Sequence, residues 1–133
     1  MQPDLASAPG GRPPARILIV DDHEVFRAAC RALLRTEGID VIADVPAGDE
    51  AIAAAVELRP DVAIVDVTPA DDAGFKIASR LAALPDPPRV VLASSTNRRQ
   101  FGSKLDGYRF VAKADICAQA IANPAQAGRH PCP

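Results

Sequence analysis

Short apolar runs alternating with helix-period segments are the feature that most limits how this chain can fold. ILIV (17–20), VIADV (41–45), VAIV (62–65), VVLA (90–93) and YRFV (108–111) are rich in β-branched or aromatic residues. Runs of this length and type suit strands, and those apolar throughout suit a parallel sheet covered on both faces. Between them, Phe26, Ala29, Leu33 and Leu34 recur at helical spacing, with Gly38 as the stop. Ile52, Ala55 and Val56 follow a Gly48-Asp49 start and end at Pro60, and Ile77, Leu81 and Leu84 form a third stripe closed by Pro85. Arg98 to Leu105 is expected as a short, poorly patterned fourth helix. Asp115 to Ala122 is expected as a fifth, with Cys117 and Ile121 inward. The order βαβαβαβαβα, with right-handed crossovers, predicts an α/β fold with a five-stranded parallel sheet between helices.

The chain has 133 residues, room for one ordinary domain. Seven of its 13 prolines fall at the ends. Residues 1–15 lack the basic and apolar regions of a secretory signal and read as a flexible extension, and 123–133 read as a flexible tail. The folding unit is expected over 16–122. His130 and Cys132 are too few ligands, in too loose a segment, to make a metal site. A formal charge of −2 gives no global electrostatic case for nucleic-acid or anionic-membrane binding. No apolar run is long enough to span a bilayer. Three cysteines without zinc-like spacing predict a reduced, cytoplasmic chain with no disulfide framework, Cys117 being a core thiol.

The strand ends carry the chemistry. Asp21 and Asp22 follow the first run, Asp66 ends the third, Ser94, Ser95 and Thr96 end the fourth, and Lys113 ends the fifth. In an open parallel sheet all carboxyl ends lie along one edge, where such folds bind ligands. Taken singly, each residue has a plain structural role: Asp21 or Asp22 as a helix cap, Asp66 in a turn, Ser94 on backbone, Lys113 in solvent. Taken together they gather like charges, which are costly unless a cation offsets them. Hard oxygen donors with room for water suit Mg²⁺. A metal-held carboxylate beside a lysine and a hydroxyl is suited to accept a phosphoryl group.

With these residues placed, the chain resembles the receiver domain of bacterial response regulators in two-component phosphorelays. The resemblance spans about Arg16 to Ala122 and rests on ILIVDDHEVFR, RPDVAIVD with the following GF, VVLASS and FVAK. VDDH and the Lys-Ala pair are similar to the subfamily that usually carries a C-terminal helix-turn-helix. The resemblance implies a flavodoxin-like, doubly wound (βα)5 sheet with strand order 2-1-3-4-5. It implies that Asp66 is the phosphoacceptor, that Asp21 and Asp22 hold Mg²⁺ with Asp66 and the Thr68 backbone carbonyl, and that Ser94 and Lys113 meet the phosphoryl group. Phe110 would change rotamer with Ser94 on activation. A sensor histidine kinase would be the donor and an unknown downstream protein the reader, with no turnover beyond the domain's own phosphorylation and dephosphorylation. No membrane and no direct nucleic-acid contact are expected, since no DNA-binding unit fits after Ala122, and family analogy implies a homodimer through the fourth or fifth helix.

This chain departs from that pattern in the loop DVTPADDAGF, where Pro69 stands third after the acceptor and Ala73 precedes Gly74. A proline fixes φ and removes a donor, so the loop is expected to be reshaped. The stretch from Ser94 to Lys113 is a few residues short, a loss expected in the fourth helix, and Arg109 replaces a customary glycine. His23 is read as the start of the first helix, and Arg98 and Arg99 as a solvated face. Two further readings remain open: an interaction module with this fold that takes no phosphate, and a phosphohydrolase using Asp66. The haloacid-dehalogenase pattern behind the second needs an aspartate where Thr68 stands.

Overall fold

The five apolar runs pair in parallel, as strands with both faces buried must. In the computed structural model, residues 15–117 and Ile121 are described; the expected extension through residue 14, the tail 123–133 and most of the expected fifth helix lie outside these. The elements are β1 (Arg16–Val20), α1 (Glu24–Thr36), β2 (Asp40–Val45), α2 (Gly48–Leu58), β3 (Val62–Asp66), α3 (Ala73–Ala82), β4 (Arg89–Ser94), the 3₁₀ segment η1 (Arg98–Leu105), β5 (Arg109–Ala112) and the 3₁₀ turn η2 (Lys113–Asp115). The sheet order is β2-β1-β3-β4-β5, which is the expected 2-1-3-4-5.

Strand alternation divides the core in two. Ile17, Ile19, Val62, Ile64, Val91 and Val111 face one side, with Cys30 and Leu34 of α1 and with Ile116, Cys117 and Ile121. Leu18, Val20, Ala63, Val65, Leu92 and Phe110 face the other, covered by Ala51 and Ala55 of α2, Ala78 and Leu81 of α3, and Phe101 and Leu105 of η1. The helical stripes are narrower than their spacing suggests, because Leu33 and Val56 are 44% and 59% exposed. Burial pushes the Cys30 thiol up to about 11. Cys117 is disulfide-bonded, which corrects the expectation of a fully reduced chain.

Two helix ends show how this sequence fixes its turns. Gly38, after α1, takes φ +80°, where a side chain would be strained. Arg59 takes φ +51° after α2, and the Arg16 guanidinium donates to the Leu58 and Arg59 carbonyls, satisfying acceptors that a helix end leaves free.

The fourth helix departs from expectation. Residues 98–105 form 3₁₀ turns, not an α-helix, and break at Gly102, whose φ and ψ are +57° and −132°. Only Phe101 and Leu105 are buried there, too little apolar surface to hold a full helix against the sheet. The last strand begins at Arg109, one residue later than expected.

Candidate functional site

Register alone assembles the polar rim. Val20 pairs with Val65, so Asp21 emerges beside Asp66. Asp66 pairs with Ala93, placing Ser94 one step beyond, and Ser94 pairs with Ala112, placing Lys113 next in line. Residues 21 and 113 are thus brought together by hydrogen bonds between strands, with no local sequence relation.

Lys113 is the centre of the cluster. Its Nζ lies 2.6 Å from Asp21 Oδ2 and 3.0 Å from Asp66 Oδ1. It also sits 4.3 Å from the centroid of the Phe26 ring, whose face attracts a cation. Burial by itself would lower the lysine, but its bonds to Asp21 and Asp66 prevail and raise it above its ordinary value. The Asp66 carboxyl is raised, first by burial and then by the charge of Asp21, with Lys113 opposing. Asp21 is 3% exposed. Its Oδ1 accepts the His23 backbone N–H at 2.8 Å and lies 2.9 Å from the ring Nδ1. Its buried Oδ2 is ion-paired with Lys113. His23 Nδ1 also approaches Asp22 Oδ1 at 3.0 Å. The hydrogen bond to Asp21, then the charges of Asp21 and Asp22, raise the imidazole, and His23 stands at the N-cap of α1, as expected.

Ligand atoms of Asp21, Asp22, His23 and Asp66 all lie within 4.8 Å of one another, close enough to hold one metal ion. The three aspartates open on a cavity of about 130 Å³ whose wall also includes Thr68, Asp71 and Gly74. The donors are hard oxygens with one imidazole, and the three carboxylates exceed the single lysine charge that meets them, so the cluster fits a hard divalent cation. Gly74 allows this closeness. A Cβ there would stand 2.2 Å from the Asp66 carbonyl oxygen and 2.8 Å from Val67 Cγ1. The start of α3 therefore rests directly on the end of β3.

Not every expected residue joins the cavity. Ser94 is 2% exposed, and its Oγ accepts the Thr96 N–H at 3.0 Å. Phe110, 4% exposed, lies inward against Phe101, with ring centroids 5.8 Å apart. Arg98, expected on a solvated face, places its guanidinium carbon 5.9 Å from the Phe110 centroid. Thr68 lines the cavity, and its Oγ1 accepts the Ala70 N–H at 3.3 Å. Sequence reasoning passed over Phe26, read as a core position, and Asp71. Phe26 could have been flagged by its place in the first turn after the acid pair; Asp71 depends on the path of the loop and left no comparable signal.

Comparisons with known proteins agree with this geometry. The chain is 32% identical over 81 residues to the sensory transduction protein LytT of Bacillus cereus, covering 60% of this chain and 33% of that one. It is 36% identical over 81 residues to the transcriptional regulatory protein LiaR of Bacillus subtilis, covering 59% and 38%. A protein-glutamate methylesterase/protein-glutamine glutaminase of Anaeromyxobacter dehalogenans matches at 38% over 97 residues, covering 71% and 28%. The chain thus spans less than half the length of these curated relatives. Among solved structures, a LuxR-family two-component response regulator from Aurantimonas superposes with a TM-score of 0.66 at 26% identity, covering 85% of this chain and 79% of that one. The signal receiver domain of a modulated diguanylate cyclase from Desulfovibrio desulfuricans superposes at 0.65 with 29% identity, covering 85% and 91%. Residues 17–117 match the response regulator receiver domain, from the first strand to just beyond the last. The chain belongs to that family of two-component signalling domains, and its sheet is flavodoxin-like.

Proposed function

We propose that this domain takes a phosphoryl group from the phosphohistidine of a sensor histidine kinase onto Asp66. The observation that carries the reading is the position of Lys113 Nζ, bridging buried Asp21 and half-buried Asp66, two carboxylates that line an acidic cavity. One carboxylate oxygen of Asp66 attacks phosphorus, the P–O bond forms as the P–N bond to histidine breaks, and the ring nitrogen leaves with the bonding pair. Burial that raises the Asp66 carboxyl makes the carboxylate more basic and a better nucleophile. Lys113 stands where it meets charge on the transferred oxygens. Asp21, Asp22, Asp66 and the Thr68 carbonyl would hold Mg²⁺, which supplies charge neutralisation at the phosphoryl oxygens when bound. Ser94 and Phe110 are proposed to respond to the acyl phosphate by shifting a population already present.

The domain would turn over nothing beyond its own phosphorylation and dephosphorylation. We place it in the cytoplasm, where a histidine kinase delivers its phosphoryl group; among the described residues no helix is long and apolar enough to cross a membrane. Its direct contacts are proposed to be with proteins, including a second copy of the chain. LiaR is named a transcriptional regulator, so a DNA-linked output reached through another domain or chain accords with this reading.

The test is intact-mass measurement after incubation with acetyl phosphate and Mg²⁺. One added phosphoryl group is expected, absent in Asp66→Ala and after chelation by EDTA. If neither an adduct nor binding of a beryllofluoride mimic is found in the folded protein, the phosphoacceptor reading fails in favour of a phosphate-independent interaction module.

A further inference from the structure

The segment that replaces the fourth helix is fastened to the loop after Asp66. Lys104, near the end of η1, places Nζ 3.4 Å from the Pro69 carbonyl oxygen and 3.3 Å from Asp72 Oδ1. Both acceptors belong to the connection between β3 and α3, which also brings Thr68 and Asp71 to the cavity wall. On the core side, Phe75 in the first turn of α3 meets Phe101 edge-on at 6.1 Å and Tyr108 at 5.8 Å. Phe101 in turn tilts against Phe110. A lysine therefore closes from the solvent side a joint that aromatic rings make from below.

An exposed lysine–carboxylate pair ordinarily contributes little. Here one ammonium holds a backbone carbonyl and a carboxylate three residues apart in the same loop, which constrains the path of the loop itself. The other end of the tether is pliant. Segment η1 consists of 3₁₀ turns split at Gly102, and such turns have poor hydrogen-bond geometry. Besides its short turns, it is placed by buried Phe101 and Leu105, by Arg98 over the Phe110 ring and by Lys104. A rearrangement of the loop would accordingly be felt in η1, and coupling of this kind is reciprocal.

We propose that Lys104 is a positioning residue that couples the loop after Asp66 to η1, so that occupancy of the acidic cavity is reported at η1 through this tether. The proposal rests on the reading of that cavity as a cation and phosphoryl site. It gives the shortened fourth segment a second link to the site, on the solvent side, besides the packing of Phe101 on Phe110.

The test compares full-length wild type, Lys104→Met and Lys104→Arg by amide hydrogen exchange without metal and by amide chemical shifts during a Mg²⁺ titration. Without metal, residues 70–72 and 101–105 should exchange about two- to fivefold faster in Lys104→Met, with Lys104→Arg near wild type and β1 unchanged. Equal exchange in wild type and Lys104→Met overturns the tether. During the titration, wild-type resonances of 70–72 and 101–105 should both move, and in Lys104→Met the second set should move much less. Undiminished movement there overturns the coupling. If Mg²⁺ moves no resonance at Asp21, Asp22 or Asp66, the cation reading fails, while the exchange comparison still decides the tether.

Discussion

Two groups of carboxylates flank α1, and they are held in opposite ways. Asp44, in β2, accepts Arg27 Nε on one oxygen at 2.9 Å and Arg31 Nε on the other at 2.9 Å, with Arg31 Nη2 closer still. Burial by itself would raise the Asp44 carboxyl, but Arg31 and Arg27 together hold it below its ordinary value. On the neighbouring rim Asp21 and Asp66 share one lysine while Asp22 stands beside His23, and the Asp66 carboxyl moves the other way. Both groups are acidic residues at strand ends on the same edge of the sheet. What separates them is the balance of charge and the space beside it. Asp44 is matched by two guanidiniums and pins α1 to β2, whereas the rim keeps negative charge in excess around a cavity.

The largest effect is expected on removing the rim's one lysine. Lys113→Met leaves Asp21 buried without its cation and should cost about 3 kcal/mol in urea unfolding. Added Mg²⁺ should recover more of that stability than it adds to wild type, since it would replace the missing charge. A loss no larger than that of an exposed pair would erase the contrast between the clusters.

Gly74→Ala comes next, because its Cβ would stand 2.2 Å from the Asp66 carbonyl oxygen. About 2 kcal/mol should be lost as α3 moves off β3, and unfolding with and without Mg²⁺ should show a weakened metal response as well. A variant with wild-type stability and response would show that the close approach does not shape the rim.

Asp44→Asn should have the smallest effect, about 1 kcal/mol at neutral pH. Its pH dependence has a definite sign. A carboxyl depressed in the folded state contributes fully above its unfolded value of 3.8 and loses that contribution as pH falls through the lower folded value. Urea midpoints of wild type and Asp44→Asn should therefore differ at neutral pH and converge in acid. A difference that persists in acid would mean that the arginines stabilise by packing alone.

Much of this was readable from the residues. Strands such as VAIV are apolar throughout because both faces are covered, and their shortness and β-branched content set them apart from the helical stripes. Once the strands are parallel, Asp21, Asp66, Ser94 and Lys113 must share an edge, so the rim followed from topology. The segment 98–105 was harder, since Phe101 and Leu105, four apart, fit an α-helix or 3₁₀ turns equally well. Its form depends on how little it buries and on Gly102. Phe26 beneath Lys113 carries the same apolar signature as a plain core residue. The Lys104 tether is set by the path of a loop containing Pro69, and no periodicity encodes such a path.

The most direct measurement is the urea midpoint of unfolding as a function of Mg²⁺ concentration for wild type, Asp21→Asn and Asp44→Asn. If the rim is a cation-dependent phosphoacceptor site, the wild-type midpoint climbs with the logarithm of Mg²⁺ concentration, Asp44→Asn climbs in parallel from a lower start, and Asp21→Asn stays nearly flat. Equal slopes in all three, or no slope in wild type, would contradict the assignment of the excess charge to a metal site.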